Sequence, residues 1–202
     1  MIICIEGLDS SGKCTQSKLL AEAIGAKRFA FPSYGTPLGK LIDGHLKRRW
    51  MCCRTGDDPM DHSQEDLDAL VFQGLQTANR MEVAPDIVEA AEKGHVVLDR
   101  YWPSGVVYGQ ADGLDREYLI NIHRCLPQAD LPILIDINPG ISVDRRPERR
   151  DRYESNMDFM EKVAQLYREL WGHMNWIVLD GDRTIDEIHQ DILYFVNDRL
   201  RQ

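Results

Sequence analysis

Gly7 and Gly12 bracket the stretch Gly7-Leu8-Asp9-Ser10-Ser11-Gly12-Lys13, which has the spacing G-x-x-x-x-G-K. Glycines at those points let backbone N–H groups converge on phosphate oxygens, and the lysine reaches the terminal, transferable phosphate. A hydroxyl normally follows that lysine because its oxygen ligates Mg²⁺; here the position holds Cys14, with Thr15 one step later. A thiol is a soft ligand and Mg²⁺ a hard ion, so the exchange bears on metal binding.

Two further groups of residues suit phosphate chemistry. Asp99-Arg100-Tyr101 closes a β-branched run, and an arginine fixed at a strand end presents a planar fork to a phosphate. Arg145, Arg146, Arg149, Arg150 and Arg152 crowd into eight residues of an otherwise acidic chain. Phosphoryl transfer spreads negative charge over the moving group, and such arginines can neutralise it.

Positioning these groups requires strands that end where helices begin. Residues 1–6 read as a buried strand that feeds the glycine loop, and Lys13 to Ile24 as the helix after it. Further strands are expected at Lys27–Phe31, His95–Asp99, Leu131–Ile137 and Trp176–Asp180. Helices are expected at Leu38–Trp50, Gln64–Lys93, Asp115–Leu126, from Pro139 into the arginines, at Asp158–Trp171 and at Thr184–Leu200. Pro85 predicts a kink or break in the long helix, and Thr184 with Glu187 a capping box for the last. Met51–Ser63, with its Cys52-Cys53 pair, reads as a loop or insertion.

Alternating strands and helices imply an α/β architecture: a mostly parallel, five-stranded sheet with helices on both faces, as one domain over 1–202. In such a sheet the site lies outside the carboxyl ends of the strands, which gathers Asp9, Lys13, Pro32 and Asp99 along one edge.

Composition sets the outer bounds. The 202 residues are 43% apolar and 28% charged, ordinary for a globular protein that buries its own core. A net charge of −9 argues against a nucleic-acid coat. Five cysteines without a C-x-x-C pair suggest neither a disulfide framework nor a zinc site, and favour a reducing cytoplasm. The apolar start reaches Glu6 too soon for a signal segment or membrane span. The six histidines form no ligand set or triad.

Taken together, Glu6 to Gln16, Phe31-Pro32-Ser33-Tyr34, Ala78-Asn79-Arg80, Asp99-Arg100-Tyr101 and Arg150-Asp151-Arg152-Tyr153-Glu154 resemble the motifs of the thymidylate kinase family. Their order and spacing span nearly the whole chain. The resemblance implies the three-layer α/β/α fold of P-loop nucleoside-monophosphate kinases, a small lid at about 145–155, ATP and Mg²⁺, and transfer from ATP to dTMP. Two alternatives stay open: another deoxynucleoside monophosphate as acceptor, or a non-catalytic nucleotide-binding regulator. Partners implied are small nucleotides, with a homodimer through helices and neither nucleic acid nor membrane.

By the same resemblance Gly7, Asp9, Ser10, Ser11, Gly12, Lys13, Cys14 and Thr15 bind the donor, joined by Arg145, Asp182 and Arg183 near adenine. Asp9 also faces the acceptor sugar. Because Ser10 stands where some relatives carry a catalytic arginine, the lid supplies it here, through Arg149 or Arg150. Lys13, Arg100 and Asp99 complete the catalytic set, with Asp99 positioning Mg²⁺ and orienting Arg100. Thr15, Asp99 and Glu6 are the metal candidates, Mg²⁺ being held chiefly through ATP oxygens. Acceptor contacts are expected from Phe31, Pro32, Tyr34, Phe72, Gln76, Arg80, Ser104, Tyr108, Gln110, Arg152 and Tyr153, with Tyr101 walling the sugar. Gln76 occupies the position, four before Arg80, where relatives commonly carry an aromatic residue, and Phe72 a turn earlier is the substitute.

Overall fold

The computed structural model describes residues 1–47, 63–145, 156–172 and 176–201. Five strands, β1 (Ile2–Gly7), β2 (Lys27–Ala30), β3 (Val96–Asp99), β4 (Leu131–Asp136) and β5 (Ile177–Asp180), form one sheet in the order β2-β3-β1-β4-β5. Every pairing is parallel, with Ile5 opposite Asp99 on one side of β1 and opposite Ile133 on the other. β1 is central and buried at all six positions, which is why its sequence is a continuous apolar run up to Glu6.

Successive strand side chains point to opposite faces, and the two faces have different helix layers. Ile3, Ile5, Val97, Ile133 and Ile135 pack under α1 (Lys13–Ala23) and the C-terminal α8 (Ile185–Leu200), against Leu20, Ile188, Ile192 and Val196. Ile2, Cys4, Leu98 and Leu134 face the other layer. That layer comprises α3 (Ser63–Lys93), α4 (Trp102–Ala111) and α7 (Met157–Trp171), which contribute Val83, Ile87, Val106, Val107, Val163 and Tyr167. The remaining helices are α2 (Pro37–Leu46), α5 (Arg116–Ile122) and α6 (Pro139–Asp144).

Helix ends obey local chemistry. Thr36 caps α2 through the Gly39 N–H, Asp115 caps α5 through Tyr118, and Thr184 with Glu187 forms the expected capping box on α8. Three expectations require correction. α3 runs through Pro85 without a break; that residue lies on the exposed side, where water can solvate the carbonyl its ring leaves unpaired. α5 ends at Ile122, not Leu126.

The third is α4, which was not expected as a helix. Eight of its ten residues are buried, glycines and valines included, so it lacks the polar stripe that gives a helix its 3.6-residue signature. Among the described residues no helix is long and apolar enough to cross a membrane.

Candidate active site

The loop between β1 and α1 requires backbone that only its sequence allows. Gly7 has φ 146° and Gly12 φ 96°, and a Cβ on Gly7 would lie 2.4 Å from the Ile135 carbonyl oxygen. Ser10 is left-handed as well, at φ 59°. Lys13, at the first turn of α1, curls into this loop, donating to the Leu8 carbonyl and lying 3.4 Å from the Ser11 hydroxyl. Burial, and then Arg100, push its ammonium down to about 8. Loop amides, a helix N-terminus and a buried lysine together make an anion seat.

Arg100, just beyond β3, has φ 60°, a conformation that non-glycine residues adopt rarely and that marks functional positions. It donates to the Gly7 carbonyl at 3.1 Å and to the Ser104 hydroxyl at 3.2 Å, pairs with Asp9, and lies 5.5 Å from the Tyr108 ring centre. The Tyr108 hydroxyl donates to the second Asp9 oxygen at 3.0 Å. Burial would raise the Asp9 carboxyl, but Arg100 and then Lys13 outweigh it and hold the carboxyl below its usual range. Asp9 therefore links the phosphate loop to the neighbouring cleft.

That cleft has about 570 Å³ of space, open to solvent, and lies between the loop, α2, α3 and α4. Its walls hold Asp9, Phe31, Pro32, Tyr34, Phe72, Gln76, Arg80, Arg100, Ser104 and Tyr108, all the expected acceptor contacts within the described residues except Tyr101 and Gln110. Leu46, Gln73 and Gly105 join them and were not anticipated. Arg80 is only 3% exposed, and its Nε and one terminal nitrogen lack any partner. Burial pushes this guanidinium down to about 10, with Glu6 opposing the shift. An arginine buried with donors unpaired is built to meet an oxygen-bearing ligand.

Several side chains sit differently from expectation. Glu6 is fully buried: its carboxylate accepts from the Tyr101 N–H, the Ser104 N–H and hydroxyl, and the Tyr167 hydroxyl. As a metal ligand it is therefore excluded. Strand alternation puts Glu6 on the same face as Ile2 and Cys4, toward α4 and α7 rather than the loop. The Ser104 hydroxyl serves Glu6 and Arg100 rather than projecting freely into the cleft. Tyr101 is 0% exposed and packs on Phe31 in the core, so it walls no sugar. Gln110 bonds within its own helix, to the Val106 carbonyl. One face of Phe72 is covered by His45, stacked at 4.2 Å.

Asp99 does not orient Arg100. It pairs instead with Arg28 of β2, whose Nε also donates to Ser17 at 2.7 Å and whose Nη2 lies 3.6 Å from the Cys14 sulfur. Val97, two residues back on the same strand face, packs under α1, so Asp99 is aimed at α1 as well. Arg28 was invisible in the sequence as one of two basic residues on a short edge strand.

No group of three or more potential ligands of the His, Cys, Asp or Glu type exists among the described residues. Mg²⁺ needs only one or two carboxylates when phosphate oxygens supply the rest, and Asp99, buried at the strand edge with one oxygen paired to Arg28, is a carboxylate of that kind. Thr15 is exposed on the first turn of α1.

On the far side of the loop, the Ser142 hydroxyl holds the Asp9 carbonyl, and Arg145 donates to the Gly181 carbonyl at 2.9 Å, beside Asp182 at 3.8 Å. These contacts join the segment after β4 to the turn after β5. Arg183 turns outward to Asp191 on α8. Arg149, Arg150, Arg152 and Tyr153 lie outside the described residues.

Comparison with known proteins agrees with this geometry. Residues 5–192 match the family described as thymidylate kinase. The thymidylate kinase of Danio rerio is 34% identical over 200 residues, covering 95% of this chain and 87% of the relative. The Homo sapiens thymidylate kinase is 30% identical over 209 residues, covering 99% and 91%. Among solved structures, the Candida albicans thymidylate kinase aligns with a TM-score of 0.80 at 26% identity, covering 98% of this chain and 91% of that one. A deoxyadenosine kinase from M. mycoides shares the fold, with a TM-score of 0.68 at 16% identity, over 98% of this chain and all of that one. A phosphate loop joined by Asp9 and Arg100 to a second, arginine-lined cleft thus coincides with full-length sequence similarity, and the chain belongs to the thymidylate kinase family of P-loop phosphotransferases.

Proposed function

We propose that this chain transfers the γ-phosphoryl group of ATP to dTMP, giving dTDP and ADP. The observation that carries the reading is the continuity of the two sites. Arg100 touches the loop at Gly7 and Asp9 while lining the cleft, so a monophosphate there is presented to the donor phosphate. The acceptor phosphate has a second pKa of about 6 and is already largely ionised at neutral pH, so no general base is required. Catalysis then rests on positioning and charge neutralisation.

In this reading Lys13 and the loop amides hold the β- and γ-phosphates, and α1 adds its N-terminal partial charge. Asp9 receives the acceptor sugar while fixing Arg100, and Arg80 grips the acceptor from α3. Arg149 and Arg150 approach the transferring phosphoryl from a lid at about 145–155, and Arg145 and Asp182 border adenine. Asp99 and phosphate oxygens would hold Mg²⁺, which when bound neutralises charge on the donor phosphates. Free Cys4, Cys14 and Cys125 suit a reducing cytoplasm.

A homodimer is part of this proposal. Leu67, Val71, Met81 and Val88 of α3 are each 41–49% exposed. With Gly74, Ala78 and Pro85 they recur at alternating steps of four and three, a stripe suited to packing against a second copy. Sedimentation of the native enzyme tests this, and a monomer at micromolar concentration refutes it.

The function itself is tested by supplying ATP and Mg²⁺ with each of dTMP, dUMP, dCMP, dAMP and dGMP. The highest kcat/KM is expected for dTMP. Failure to phosphorylate dTMP, or a clear preference for a purine, overturns the reading.

A further inference from the structure

The pairing register of the edge strand β2 decides where its arginine points. β2 runs parallel to β3 with Arg28 opposite Val97 and Ala30 opposite Asp99. Residues opposite one another in a sheet share a face, and alternation puts Val97 and Asp99 on the same one. Val97 packs under α1, so Arg28 and Asp99 are diagonal neighbours beneath that helix. Cys14 and Ser17, three residues apart at the start of α1, lie together on one side of it.

Direct contacts tie these residues into one group. Arg28 Nη2 donates to Asp99 Oδ2 and lies 3.6 Å from the Cys14 sulfur. Its Nε donates to the Ser17 hydroxyl at 2.7 Å, and that hydroxyl donates to the Cys14 carbonyl at 3.1 Å. The ion pair is largely shielded from water, with the Arg28 side chain 23% exposed and that of Asp99 10%. One guanidinium therefore spans from the carboxyl edge of the sheet to the residue that follows the phosphate-loop lysine.

Both ends of that span are positions from which a divalent ion on donor phosphates would draw support. Position 14 is where a hydroxyl normally stands, and Asp99 is the nearby carboxylate. Here the first is a thiol, a soft donor that suits Mg²⁺ poorly, and the second already faces a cation. Without Arg28 a buried carboxylate would stand unneutralised beside the seat of a highly charged anion, where like charges repel most strongly because little water screens them.

We infer that Arg28 is the resident counter-cation of the donor site, neutralising Asp99 while ATP binds and competing with the divalent ion for that carboxylate. The inference rests on the reading of the loop as an ATP site. It goes beyond that reading by making Arg28 a positioning residue that sets how strongly nucleotide binding depends on metal, in a chain that carries Cys14 at the hydroxyl position.

The test is titration calorimetry of ATP in excess Mg²⁺ and again in EDTA, with the native protein, Arg28→Met and Arg28→Lys. Methionine keeps an apolar stem and removes the charge. The ratio of the Kd in EDTA to the Kd in Mg²⁺ should grow about tenfold in Arg28→Met, and by linkage Mg²⁺ should bind the ATP complex of that variant more tightly by the same factor. Arg28→Lys should stay close to the native ratio. Tm is recorded alongside, because a purely structural contact lowers Tm and leaves the ratio unmoved.

A native ratio in Arg28→Met overturns the inference, whatever its Tm. So does an Arg28→Lys ratio as large as that of the methionine variant. Asp99→Asn tests the same pair from its other side and covers the case in which Arg28→Met does not fold. With the carboxylate gone, Arg28 is released toward the phosphates, so the Kd for ATP in EDTA should fall below the native value; a native or higher Kd there contradicts the inference. Absence of ATP binding to the native protein under both conditions is a different result, since it removes the donor-site reading itself and the inference with it.

Discussion

Replacing Glu6 by glutamine tests whether this carboxylate is part of the framework or part of the metal site. Glu6 is 0% exposed, and four N–H and O–H donors converge on it, with the Cys4 thiol 3.9 Å from one oxygen. The Tyr101 and Ser104 N–H groups reach one oxygen at 2.7 and 3.3 Å, and the Ser104 and Tyr167 hydroxyls reach the other at 2.7 and 2.8 Å. An amide keeps the first acceptor but points its NH₂ group at the two hydroxyls, which must rotate or lose their bonds. Charge-assisted bonds contribute ~1.5–3 kcal/mol each, so after partial recovery by rotation the expected loss is about 3 kcal/mol. For a chain of this length that lowers Tm by about 6–12 °C, readable by calorimetry or circular dichroism. The half-saturating Mg²⁺ concentration should stay at the native value, because neither oxygen reaches the cleft. A Glu6→Gln enzyme with native Tm and a tenfold higher Mg²⁺ requirement would refute the inward placement.

Other expectations follow from the same geometry. Gly7→Ala puts a Cβ 2.4 Å from the Ile135 carbonyl oxygen at φ 146°, so urea unfolding should show a loss of at least ~3 kcal/mol, and a native midpoint contradicts the tight approach. Tyr108→Phe removes the 3.0 Å bond to Asp9 and should lower kcat/KM for the acceptor about tenfold while sparing the KM of ATP, and an unaffected variant dismisses the Asp9 link. Lys13 ionises near 8 when folded against an ordinary 10.5, so the unfolded chain binds more protons in that window and ligand-free stability rises with pH across it. ATP phosphates restore the charge, so binding at about pH 9 should take up protons, measurable by titration calorimetry in buffers of different ionisation enthalpy, with zero uptake as the refuting result.

The sheet was legible because its strands are buried on both faces: Ile2 to Ile5, Val96 to Leu98 and Ile133 to Ile135 are apolar runs that read the same in sequence and structure. The acceptor cleft was legible because Phe31-Pro32, Arg80 and Arg100 come from motifs with fixed spacing. α4 was not, since burial on all sides erased its periodicity. Glu6 was misassigned although parity along β1 was available to place it with Cys4 rather than with Ile5. Gln73 carried a signal of the same kind, lying seven residues before Arg80 on one face of α3. Arg28 carried none, because its role depends on β2 pairing with β3, where Arg28 lies opposite Val97. Arg149, Arg150, Arg152 and Tyr153 fall outside the described residues.

The most direct measurement of the central claim uses ATP labelled at its γ-phosphorus, with dTMP and Mg²⁺, and separates the products by chromatography. The expected result is label in dTDP, appearing with unlabelled ADP in equal amounts. Label in inorganic phosphate alone, or no transfer at saturating dTMP, would contradict assignment of the cleft beside Asp9 and Arg100 as the dTMP site.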